Sequence, residues 1–263
     1  MLVEFRTQNF RSLRDEQVLS LVASPDKSLL DTHALDTGLK AAPHVLKSAV
    51  VYGANASGKS NLIKALQYMR DVVLMSATLQ PGQAFARLQP FRLDAVSASQ
   101  PTAFEVTFIL DGVRYQYGFA MNAQRIVSEQ LLVYKAFKPQ RWFERHFDAE
   151  SGKDVYEFGP GLKGAKTLWE GATRPNALFL SMAVQLNSEA LRPVYDWFAH
   201  RLVILNEHAP LSPQFSLEML KLEAQRKAIG EFLRAADISI ADVEVATKQA
   251  TVHSIRFDLA TGK

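Results

Sequence analysis

Residues 48–62 read Ser48-Ala49-Val50-Val51-Tyr52-Gly53-Ala54-Asn55-Ala56-Ser57-Gly58-Lys59-Ser60-Asn61-Leu62. The run Ser48–Tyr52 is short and rich in β-branched side chains, which suits a buried strand. Gly53 to Ser60 then fits G-x-x-x-x-G-K-[ST], and each fixed position answers a physical need. Gly53 and Gly58 let the backbone turn and approach an anion with no Cβ in the way. Successive backbone N–H groups from Ala54, Asn55, Ala56 and Ser57 point inward as an anion nest. The helix that follows adds its unsatisfied first donors and the positive end of its dipole. Such a cradle holds a phosphate chain. Lys59 reaches the β- and γ-phosphates as the catalytic cation, the Ser60 hydroxyl ligates Mg²⁺, and Asn61 completes the cofactor-binding set. ATP with Mg²⁺ is the expected cofactor pair.

Downstream of the loop, Leu62, Ile63, Leu66, Met69, Val72 and Val73 recur at spacings of three and four, giving a helix with one apolar stripe. Pro81-Gly82 ends it. From Phe91 to Phe147 the period changes to two. Ala103–Leu110 and Val113–Ala120 flank Asp111-Gly112, a pair that accepts the positive φ of a tight hairpin turn. Ile126–Ala136 and Trp142–Phe147 read as further strands of an antiparallel sheet inserted after the first helix. Beyond Gly171 the pattern is mostly helical. Asn176–Phe198 is a helical stretch broken at Pro193, Leu202–Leu205 a short strand candidate, Leu217–Ala236 a long amphipathic helix, and Val252–Leu259 alternates again. Upstream, Leu2–Gln8 and Gln17–Ala23 read as strands. Ser24–His44, with Pro25, Gly38 and Pro43, reads as a surface connection.

Composition places few limits on this reading. The chain has 263 residues, 48% hydrophobic and 22% charged, as in an ordinary globular protein. No apolar run approaches the eighteen or so residues that span a bilayer. The opening Met1–Phe10 carries Glu4 and Arg6, unlike a signal peptide. With no cysteine, disulfides and thiolate metal sites are excluded. A cytoplasmic location without membrane association is expected. The net charge of +3 and pI near 9.0 permit nucleic-acid contact without requiring it. Lys135–Arg145, the densest basic stretch, reads as a solvated hairpin. The six histidines show no H-x-x-x-H spacing, and there is no G-x-S-x-G. Asp94, Asp111 and Asp148 sit where turns are expected. No apolar strand ends in Asp-Glu, so no general base for ATP hydrolysis can be named.

Asn9-Phe10-Arg11-Ser12-Leu13, together with Val51–Leu62, resembles the ABC-class ATPases of the RecF, SMC and OLD type. Within that class the chain is similar to the stand-alone ATP-binding proteins of bacterial abortive-infection and restriction operons, often called AbiLi- or RloA-like. Tyr115–Phe119, Ser128–Leu131, Leu178–Ser181 and Gln185–Asn187 extend the likeness. The resemblance implies an α/β P-loop NTPase with an ABC-type head. A mixed core sheet would be joined to an antiparallel β lobe and a helical region. The expected parts are 1–90 for the P-loop core, 91–170 for the β lobe and 171–263 for the helical region. It implies Arg11 near the nucleotide phosphates and Gln185 as a catalytic glutamine touching Mg²⁺ and water. It also implies ATP sandwiched between two self-associating heads, a nuclease effector as partner, and a role in anti-phage defence. A signature segment, a Walker B Asp-Glu and a switch histidine are expected beyond residue 263. Two alternatives stay open: a non-hydrolysing ATP-bound scaffold and a P-loop small-molecule kinase. The β insertion and Asn55 speak against the kinase.

Overall fold

The computed structural model describes residues 1–40, 42–135, 138–205, 214–236 and 243–245. Val252–Leu259 lies outside the described residues. The chain divides into two compact units, Met1–Ile204 and Leu205–Lys263.

The first unit is organised by one seven-stranded sheet in the order β2-β1-β5-β6-β7-β8-β9. Its strands are β1 (Leu2–Gln8), β2 (Gln17–Ser20), β5 (Thr102–Leu110), β6 (Val113–Met121), β7 (Ile126–Tyr134), β8 (Gln140–Asp148) and β9 (Lys153–Phe158). The intervening elements are α1 (Leu30–His33), the hairpin β3 (Ala34–Asp36) and β4 (His44–Leu46), α2 (Lys59–Met75) and α3 (Ala95–Ser99). After the sheet come α4 (Lys166–Ala172), α5 (Phe179–Gln185), α6 (Arg192–Asp196) and a π-helical turn, Trp197–Arg201. The second unit contains α7 (Gln214–Leu220) and α8 (Glu223–Ala235).

Every pairing in the large sheet is antiparallel. This corrects the expectation of a mixed core sheet: among the described residues, β1 and β2 join the antiparallel lobe directly. The expected buried strand at Ser48–Tyr52 is corrected as well. That stretch is irregular, with Val50, Val51 and Tyr52 exposed to 71%, 45% and 87%. Strand propensity describes fit to a half-buried pleated surface, and these residues meet no such surface among the described residues. Leu202–Leu205 likewise forms no strand, and Val203 and Leu205 are largely exposed. The connection 24–44 leads into the small β3–β4 hairpin, whose Val45 is buried in a second apolar cluster with Val3, Ala42 and Ile109. The expected helix Leu217–Ala236 is two helices, because Leu222 adopts an extended conformation (φ −91°, ψ 117°) between α7 and α8.

The main core lies between α2 and one sheet face. Ala65, Leu66, Met69, Val72 and Val73 of α2 are buried with Phe5, Phe104, Phe108, Tyr117 and Phe119 of the strands. Trp197 stacks on Phe108 with ring centroids 4.1 Å apart and planes 11° from parallel. Aromatic contacts of this kind add about 0.5–1.5 kcal/mol beyond area burial. A buried polar network pins the helices to the other end of the sheet. Glu129 accepts from the backbone N–H groups of Phe179 (2.7 Å) and Leu180 (3.0 Å) and from the Tyr117 hydroxyl (2.9 Å). It therefore satisfies the first amides of α5, which no local side chain caps. Arg145, fully buried, donates to the carbonyls of Ala177 and Arg174 and to Asp154. Asp154 also pairs with Arg125 at 2.6 Å.

Candidate nucleotide site

The glycine loop emerges from an exposed segment and enters a helix of seventeen residues. Gly58 stands at the helix N-cap with φ +98°, a left-handed conformation that a β-carbon disfavours. It is also tightly approached: a Cβ there would lie 3.1 Å from Leu13 Cδ2 and 3.2 Å from Ser12 Oγ. Ala56 is left-handed too, at φ +64°. The Asn61 and Leu62 amides return to the Gly58 carbonyl at 2.8 and 3.2 Å. No side chain caps the start of α2, and its first turn holds no acidic residue. The Lys59 ammonium folds back over the loop and donates to the carbonyls of Gly53 and Ala54, both at 2.7 Å.

This arrangement fits a polyphosphate. An uncapped helix start leaves backbone donors and a positive dipole end unmatched, and a bound anion satisfies both. Among the described residues Lys59 bonds two carbonyls and no carboxylate, and a phosphate oxygen carries the negative charge that those partners lack. Ser60, exposed in the first helical turn, is where a Mg²⁺-ligating hydroxyl would be. Ala54, Asn55, Ala56 and Ser57 form the exposed backbone of the loop between Gly53 and Gly58.

A second segment meets this loop. The turn Asn9–Arg14 closes on reciprocal backbone bonds between Phe10 and Leu13, both at 2.8 Å. Asn9 (φ +56°) and Arg11 (φ +54°) are both left-handed. Buried Asn9 is fixed on all sides. Its amide donates to the carbonyls of Ser97 and Gln100, and its side-chain oxygen accepts from the Phe91 amide. The Ser97 hydroxyl and amide, with the Val96 amide, hold the neighbouring Asp94 carboxyl below the usual range. Arg11 donates its backbone N–H to Gln89 at 2.7 Å, while its side-chain Nε is buried without a partner. Ser12 accepts a 2.7 Å bond from the Asn61 side-chain amide.

The site residues expected from sequence therefore divide. Gly53 to Asn61 form one continuous loop and helix start, and the turn bearing Arg11 touches it through Ser12 and Leu13. Gln185 is elsewhere. It is the exposed last residue of α5, and α5 docks on α2 through Ser181 Oγ, which donates to the Val73 carbonyl at 2.6 Å. Val73 lies about 21 Å along α2 from Lys59 at 1.5 Å per residue. Ser12, Leu13 and Gln89 join the site without any spacing signal. Ser12 and Asn61 are 49 positions apart, and only folding brings them together.

A glycine loop feeding an uncapped helix that packs on a sheet defines a P-loop nucleotide-binding domain. Residues 48–237 match the family described as "AAA domain, putative AbiEii toxin, Type IV TA system". That stretch is well over half of the chain, and the chain belongs to this family. It is an AAA-family P-loop ATPase domain of a kind linked to toxin–antitoxin and abortive-infection systems. No curated protein matches the chain. Among the described residues no helix is long and apolar enough to cross a membrane.

Proposed function

We propose that the chain binds MgATP at Gly53–Asn61 as the nucleotide-binding part of a hydrolysing ATPase, the sensor or motor subunit of an anti-phage defence system. The observation that carries this reading is the uncapped start of α2 behind left-handed Gly58, with the Lys59 ammonium drawn over the loop. Lys59 and the first amides of α2 hold the phosphates and take up charge as it develops on them. Ser60 offers its hydroxyl to the metal, which when bound neutralises phosphate charge. Arg11, presented by a turn in contact with the loop, adds a second cation; its partnerless Nε supports this.

The finer parts of the reading rest on resemblance. They are the ABC-type head, the division at 90 and 170, self-association through sandwiched ATP and the nuclease effector. The match to a family tied to abortive infection supports the defence role. Nucleic acid is a further candidate ligand of the assembled complex, and a cytoplasmic site of action accompanies this role.

The test is calorimetric titration of MgATP with phosphate release measured alongside. Lys59→Ala is expected to weaken binding or turnover at least tenfold, about 1.4 kcal/mol, with the fold intact. Wild-type affinity and turnover in a folded Lys59→Ala protein would falsify the assignment.

A further inference from the structure

We propose that Ser12 and Asn61 are a positioning pair that sets the phosphate loop in register with the sheet, an inference that rests on the MgATP reading above. Asn61 lies on the first turn of α2, where its side chain could be taken for a nucleotide contact. Its Nδ2 is instead committed to Ser12 Oγ at 2.7 Å. The same turn reaches the loop at Gly58, where Ser12 Oγ and Leu13 Cδ2 occupy the space a β-carbon would need. The turn thus grips the helix start on both sides of Lys59 and Ser60.

The grip matters because the turn itself cannot slide. Asn9 is bonded to Ser97, Gln100 and Phe91, and its carbonyl accepts from the Thr102 hydroxyl at the start of β5 (2.8 Å). Arg11 is tied to Gln89 through its backbone. Leu13 is buried, and the ring of Phe10 packs against Tyr68 of α2 and Phe104 of β5. The chain of contacts runs from β5 through Asn9 to Ser12, and from Ser12 to Asn61 beside the catalytic lysine. By contrast the segment entering the loop, Val50–Tyr52, is exposed and forms no strand among the described residues. Two residues forced into left-handed φ, Asn9 and Arg11, keep the turn in one shape.

A positioning role predicts coupling in nucleotide affinity and none in resting stability, because the Ser12–Asn61 bond is exposed to solvent. MgATP affinity is measured on the full chain for Ser12→Ala, Asn61→Ala, the double variant and Ser12→Thr, with thermal midpoints taken without nucleotide. Each alanine variant is expected to lose about three- to tenfold in affinity. The double variant should be no weaker than the worse single one, Ser12→Thr should bind as wild type, and the midpoints should not move. Losses that multiply in the double variant, or wild-type affinity in both single variants while Lys59→Ala binds poorly, would overturn the pairing. Lowered midpoints with unchanged affinity would mark the bond as purely structural and overturn it too. If Lys59→Ala binds as wild type, the nucleotide reading fails first and takes this proposal with it.

Discussion

The Ser60 hydroxyl and the Glu129 carboxyl show how differently single residues carry weight in this molecule. Ser60 is exposed at the helix start and packs little, so its replacement tests chemistry more than folding. Ser60→Ala is expected to weaken MgATP binding at least tenfold, about 1.4 kcal/mol, while binding of ATP in EDTA changes little. Equal losses in both titrations would reduce Ser60 to a helix residue. Glu129 is the opposite case: it is 1% exposed and serves two amides and a hydroxyl. Burial pushes its carboxyl up, opposed by Arg145, the two α5 amides and Tyr117. A raised folded pKa means that the folded state retains the proton longer than the unfolded chain. The associated stability is therefore full below the ordinary glutamate value and is lost as pH rises through the folded value. Glu129→Gln leaves an amide among hydrogen-bond donors and should cost about 1–3 kcal/mol. It should also remove that pH-dependent component, so the gap to wild type narrows as pH rises above the ordinary glutamate range. Urea midpoints measured from pH 4 to pH 8 check both, and a gap that widens with pH would reverse the sign argued here.

Helix α2 joins the candidate site to the rest of the core. Its first turn carries Lys59, and its middle turns are buried at Leu66, Met69 and Val73. Arg70 reaches the π-helical turn, where its Nε donates to the Phe198 carbonyl (2.9 Å) and its Nη2 to that of Ala199 (3.4 Å). A π-helical turn leaves carbonyls poorly served by its own backbone, and a cation from a neighbouring helix compensates. Arg70→Met keeps most of the stem and removes the donors, so a loss of about 1.5–3 kcal/mol is expected. Hydrogen exchange should rise at Leu202, whose amide bonds to Trp197 across the π-helical ring, before it rises in α2. Unchanged protection at Leu202 would mean that Trp197 stacked on Phe108 holds the turn alone. The α2 stripe was legible in sequence because a helix facing one sheet must repeat its apolar residues every three or four positions. The π-helical turn was not: its carbonyls are served by Arg70, which lies 128 positions from Phe198.

At the scale of the molecule, the glycine loop, the Asn9–Arg14 turn, the sheet and its core all fall within Met1–Ile204. That unit contains its own hydrophobic core and the whole candidate nucleotide site. Residues 1–204 produced alone are expected to unfold in one cooperative transition and to bind MgATP within about threefold of the full chain, a difference under 1 kcal/mol. Thermal unfolding followed by circular dichroism, with calorimetric titration, measures this. A fragment that folds yet loses binding by more than tenfold would assign part of the nucleotide site to the second unit.

Local physics decided much of this in advance. Gly53-x-x-x-x-Gly58-Lys59-Ser60 was legible because a left-handed glycine and a helix start are properties of neighbouring residues. The alternation through β5 to β8 and the Asp111-Gly112 turn are local in the same sense, so the antiparallel hairpins could be read directly. β9 was hidden, since Asp154 stands on its inward face and Val155 on its exposed one, and its partner strand supplies the order. Whether Ser48–Tyr52 becomes a strand, whether β1 joins the lobe, and that Asn61 serves Ser12 were decided only by tertiary structure. Strand pairing and side-chain bonds between distant positions depend on which partners folding brings within reach, and no window of sequence contains both.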